Sequence, residues 1–97
     1  MDLKQVWNAC RVIAAKSNSV LEILNTTMGD LPIKAFQYKM PNQNIVQDIF
    51  LKQGDNLQFL KRTIYIFKPN ARESKVLLRS KTILNLPKLY PTKTMAV

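Results

Sequence analysis

The chain has 97 residues, of which 46% are apolar, and its fifteen Lys and Arg against six Asp and Glu give a formal net charge of +9; this balance excludes a disordered tail and leaves room for one modest core. One cysteine, Cys10, and no histidine exclude an intramolecular disulfide and leave a Cys/His zinc site without ligands. Apolar runs such as 12–15 and 64–67 are far too short to cross a bilayer, and Met1-Asp2-Leu3-Lys4 does not open a secretory signal, so an intracellular or virion-internal protein is expected, not a secreted one.

The first predicted element is a helix. Leu3, Trp7, Cys10, Ala14, Ser17, Leu21, Leu24 and Met28 recur at alternating steps of four and three, the stripe of an amphipathic helix. Two readings stand: one helix over 3–28 stopped by Gly29, or a break at Ser17-Asn18-Ser19, where Ser19 and Glu22 have the spacing of a capping box. The stripe serves either to pack on the molecule's own sheet or, through Leu3, Trp7, Leu21 and Leu24, as an oligomer interface. Next, 31–41 is bracketed by Pro32 and Pro41 and places Phe36, Tyr38 and Met40 at period two, as a short strand does. Asn44 can cap a short middle helix with Ile45, Val46, Ile49 and Phe50 as its apolar face and Gly54 as its stop. Residues 57–68 and 75–84 read as two strands of a β-hairpin joined through Pro69-Asn70-Ala71-Arg72. Pro87 and Pro91 make 87–97 an extended arm. The expected fold class is therefore α+β: an N-terminal helix or helix pair and a short middle helix, packed on a small antiparallel sheet dominated by the C-terminal hairpin, in a single domain over 1–86.

Charge is the strongest functional signal. Residues 1–48 carry five basic and four acidic side chains, whereas 49–97 carry ten and two. A field of that sign attracts phosphate backbones, anionic membranes or acidic proteins. Period-two alternation sorts the hairpin onto two faces: with Ile64, Ile66, Val76 and Leu78 inward, Lys61, Tyr65, Phe67, Lys75, Arg79 and Lys81 share the outward one, with Lys68 and Arg72 at the turn. Cations among aromatic rings are a surface for single-stranded nucleic acid, in which phosphates meet Lys and Arg and bases stack on rings. Burial of Tyr65 and Phe67 under a helix is the competing reading. The predicted function is non-enzymatic DNA or RNA binding through Lys61, Arg62, Tyr65, Lys68, Arg72, Lys75, Arg79 and Lys81. The alternative is a viral or phage assembly protein that oligomerises through its N-terminal helix and grips an acidic protein partner. Catalysis is disfavoured, because Asp2, Glu22, Asp30, Asp48, Asp55 and Glu73 are scattered, Cys10 sits on an apolar stripe, and no metal or cofactor motif is present.

Overall fold

The structure is a computed structural model that describes residues 1–68 and 76–90. It comprises one helix, α1 (Leu3–Lys16), and five strands: β1 (Glu22–Met28), β2 (Leu31–Lys39), β3 (Ile45–Gln53), β4 (Asn56–Lys68) and β5 (Val76–Ile83). They form one antiparallel sheet in the order β1-β2-β3-β4-β5, so α+β describes the fold.

Helix α1 begins with a capping box. The Gln5 amide donates to the Asp2 carboxylate at 2.8 Å while the Asp2 amide donates to Gln5 Oε1 at 3.1 Å, satisfying two of the orphan donors of the first turn. It ends at Ser17, and Asn18 turns the chain away with a φ of 50°, a conformation asparagine tolerates better than most residues. A single helix over 3–28 is thus overturned: the chain breaks at Ser17-Asn18-Ser19, the other reading, and the segment beyond the break is a strand and not a second helix. Leu21, Leu24 and Met28 fit the helical period by coincidence; Ile23, Thr26 and Thr27 are β-branched, and Gly29-Asp30 closes a two-residue hairpin to β2 with φ 61° at Gly29.

The predicted middle helix is strand β3. Its buried positions are Val46, Asp48 and Phe50, a period of two. Gly54 does not cap a helix; it opens the two-residue Gly54-Asp55 turn to β4 with φ 59°. The sheet is accordingly not dominated by its last two strands, because β1, β2 and β3 form a continuous meander with β4.

One face of the sheet carries α1, and the other is bare among the described residues. Val6, Cys10 and Ala14, spaced by one helical turn, pack onto Phe36, Tyr38, Val46, Phe50 and Leu57. The Phe50 ring is the hub: Phe36, Phe59 and Tyr90 meet it edge-on with centroids 5.4–5.6 Å away, a geometry favoured by the ring quadrupole. Full burial of each such ring contributes roughly 1.5–3 kcal/mol. Tyr90 belongs to this core, so the chain is anchored beyond position 86; residues 91–97 of the expected arm lie outside the described residues.

Candidate nucleic-acid interface and the buried Asp48 cluster

Strand register decides which side of the sheet each basic residue occupies, because directly opposed residues project to the same face. Lys61 pairs with Ile49 and Tyr65 with Ile45, which places both on the bare face. Lys81 pairs with Ile64 and Arg79 with Ile66, on the helix-bearing face. The expected common surface therefore divides: Lys61 and Tyr65 are on one side, Arg79 and Lys81 on the other. The expected sorting has Ile64 and Ile66 inward and Arg79 and Lys81 outward, whereas the actual register sets Lys81 opposite Ile64 and Arg79 opposite Ile66, so these four share a face, and a bulge between Ile66 and Phe67 shifts the pairing beyond them; the side chains of Val76 and Leu78 lie outside the described residues. The side chains of Phe67 and Lys68, and Arg72 and Lys75 altogether, lie outside the described residues.

Arg62 has a different role from the phosphate contact expected of it. Its Nε donates to Asp48 Oδ1 at 2.7 Å and its Nη2 to Asp48 Oδ2 at 2.9 Å, with the Arg62 side chain 12% and Asp48 0% exposed. Nη2 also donates to the Tyr38 hydroxyl at 2.9 Å, and Tyr38 donates onward to Asp48 Oδ2 at 3.3 Å. The Tyr90 hydroxyl donates to the same Oδ2. With that proton committed, the Cys10 thiol, 3.0 Å away, is the donor to the Tyr90 oxygen. No buried side-chain polar atom among the described residues lacks a partner, which is the condition for a buried charge to be tolerated.

The electrostatics are set by this arrangement. Burial pushes the Cys10 thiol up to about 12, with the hydrogen bond to Tyr90 opposing the rise, so it is held as a neutral thiol, unsuited to nucleophilic attack. Burial, reinforced by the neighbouring Asp48 charge, also raises Tyr38 and Tyr90 above the usual phenol range. Burial would lower Arg62, but the Asp48 hydrogen bond and charge outweigh it and hold the guanidinium protonated. The cluster ties β2, β3, β4, α1 and the 87–90 segment together around one charge pair.

The four residues expected to form an oligomer seam do not share a face. Leu3 and Trp7 are on α1 and exposed, Leu21 packs at the core margin, and Leu24 projects from β1 to the bare face. A helix that ends at Ser17 cannot carry all four.

Leu3 and Trp7 instead line a cleft of about 680 Å³ on the helix-bearing side, floored by Ile23 and Leu57 and flanked by Lys4, Lys34 and Lys52, with Asp2 and Asp55 also at its edge. Trp7 is 38% exposed, and the Arg11 guanidinium lies 4.8 Å from its ring centroid, within cation–π range. Trp7 is expected from the sequence at an oligomer seam and not among the nucleic-acid contacts, yet Lys4 and Arg11 at i−3 and i+4 are its neighbours on a helix surface. That spacing marks a solvent-facing tryptophan among cations.

No helix among the described residues is long and apolar enough to cross a membrane. No protein-family model, curated protein or solved structure matches the chain.

Proposed function

We propose that this chain is a non-catalytic nucleic-acid-binding protein that takes single-stranded DNA or RNA on the helix-bearing side of its sheet. The observation that carries the reading is the segregation of cations to that side. Lys4, Arg11 and Lys16 project from α1, and Lys34 and Lys52 flank the cleft. Arg79 and Lys81 project from β5 toward the same side, where the segment bearing Lys88 also runs to seat Tyr90. Asp48, the buried acid on this side, is neutralised by Arg62. Only Lys39 and Lys61 among the described basic side chains of the strands project to the bare face, by their register with Ile45 and Ile49.

Phosphates would meet the lysines and arginines, and a base would stack on Trp7, an exposed aromatic of that side; Tyr65 remains as a contact only for a strand that reaches the opposite face. Cations supply sequence-independent affinity and an aromatic face accepts any base. Sequence-specific duplex readout has no support, because the residues expected to form a second helix are a strand within the sheet.

Titration with a fluorescent oligothymidylate, followed by its anisotropy and by Trp7 emission, tests the reading. Four neutralised phosphates would give a log–log salt slope of about −3 and an affinity loss of about 50-fold between roughly 50 and 200 mM salt. Trp7→Ala removes the stacking contribution of about 1–3 kcal/mol, roughly 5- to 150-fold in affinity. Affinity independent of salt, or unchanged when Lys34 and Lys52 are both replaced by Gln, overturns it.

A further inference from the structure

The bare face of the sheet has no covering layer among the described residues. Leu24, Met28 and Leu31 stand 43%, 44% and 52% exposed on or beside it. Behind them Ile33 and Ala35 form the floor of a hollow of about 250 Å³ walled by Met28, Ile49 and Lys61. A sheet that buries one apolar face on a helix and leaves an apolar second face open is half of a layered structure. We infer that this face is covered by a second copy of the same chain, packed sheet to sheet about a two-fold axis, with rim residues of each copy entering the hollow of the other.

Three observations select a second copy over other occupants. First, the surface is self-complementary: it presents apolar projections and an apolar hollow side by side, as an isologous interface requires. Second, the area suffices. Strands β1, β2 and β3 have 7 to 9 residues; with β4, at about 4.8 Å between strands and about 3.4 Å per residue, the face measures roughly 19 by 25 Å. Two copies thus cover about 1,000 Å², the lower bound for a specific interface. Third, the charge lies elsewhere. Between chains of net charge +9, contact is tolerable only where few charges meet, and the bare side of the described strands carries only Lys39, Lys61 and Glu22. An anionic membrane could not use this apolar face and the cations together, because they point in opposite directions. The resulting dimer has four layers, helix–sheet–sheet–helix, and exposes a cationic surface at each end.

Sedimentation equilibrium of the full chain, without nucleic acid, tests the inference separately from the binding reading. A mass of twice the 11.2 kDa chain is expected in the micromolar range. Met28→Glu changes a side chain already half-exposed, and Ile49→Lys changes one at the middle of the face; each is expected to weaken association at least 100-fold. Circular dichroism and Trp7 emission report folding from the other side of the sheet, and if Ile49→Lys unfolds the chain, Met28→Glu decides. A monomeric mass at several hundred micromolar overturns the proposal. So does a dimer that survives Met28→Glu, which would indicate pairing through the β1 edge or the helix side, or a monomer that co-sediments with uncharged phosphatidylcholine vesicles.

Discussion

Removing Asp48 is the most informative single perturbation of this fold. The carboxylate is fully buried and accepts two bonds from Arg62 and one each from Tyr38 and Tyr90. In Asp48→Ala the guanidinium, 12% exposed in the native chain, keeps only the Tyr38 hydroxyl as an acceptor, and two phenols lose theirs. Breaking a buried pair from one side costs about 3–5 kcal/mol, chiefly the desolvation of the charge left behind. Against a total stability of about 5–15 kcal/mol for this length, and at about 4–8 °C per kcal/mol, the melting temperature should fall by about 12–40 °C. Urea denaturation followed through Trp7 emission and far-ultraviolet circular dichroism measures the loss. Arg62→Met should cost a similar amount, because it strands the carboxylate instead. A loss below about 1 kcal/mol for Asp48→Ala, the figure of a solvent-exposed pair, would refute the view that this charge is both buried and held by its partner.

Alkaline stability depends on the raised groups. Cys10 ordinarily titrates at 9.0 and Tyr38 and Tyr90 at 10.0; folding raises all three, so the native state keeps protons the unfolded chain releases. Stability is full below about pH 9 and declines above it, by about 1.4 kcal/mol per pH unit for each withheld proton, and Cys10→Ala should flatten the first part of a pH–stability profile measured in urea. At the helix start, Asp2→Ala removes the carboxylate that accepts from Gln5 and should cost about 1 kcal/mol in the same denaturation assay. Gly54→Ala meets no neighbouring atom within 4 Å but keeps a φ of 59°, so its cost is conformational, about 1–2 kcal/mol, and Gly54→Asn should cost less. If Ala and Asn prove equal there, the turn has another backbone geometry.

The strands at 31–39, 56–68 and 76–83 are visible in the sequence because prolines, turn residues and β-branched or aromatic runs punctuate them. Two elements are hidden by short apolar stretches that fit either period. Val46, Ile49 and Phe50 satisfy a helix, and Val46, Asp48 and Phe50 a strand whose inward position is acidic; an aspartate in the core is invisible until its arginine partner is placed. A local signal nonetheless exists. Both glycines are followed by aspartate, Gly29-Asp30 and Gly54-Asp55, and Gly-Asp between alternating segments marks a two-residue hairpin; taken as helix stops, they conceal two hairpins. The cationic surface is legible as a charge excess but not as a location. Whether Lys81 lies beside Ile64 or one position away depends on a pairing that the sequence around 69–75 does not specify, and one residue of slip transfers each side chain to the other face.

That sensitivity suggests what the Asp48–Arg62 pair does besides hold the sheet together. A one-residue slip of β4 against β3 would direct Arg62 to the bare face and bring Lys61 or Thr63 opposite Asp48, leaving the carboxylate in the core without its two-bonded partner. The apolar residues discriminate less, because the sequence of β4 is apolar at both parities: Ile64 and Ile66 alternate with Tyr65 and Phe67. A buried ion pair contributes little net stability relative to apolar residues of similar volume, yet a misregistered pair is costly, so the cluster acts on specificity more than on stability. The variant Asp48→Leu with Arg62→Met, Tyr38→Phe and Tyr90→Phe, which leaves no phenol without its acceptor, should then recover most of the stability lost by either single change while relaxing the register. A ¹H–¹⁵N correlation spectrum should show additional or broadened amide signals from β3 and β4 at near-native melting temperature. A spectrum with one sharp signal per residue in the recovered protein would assign the register to packing and turn geometry alone, and the charge pair would then be no more than a tolerated burial.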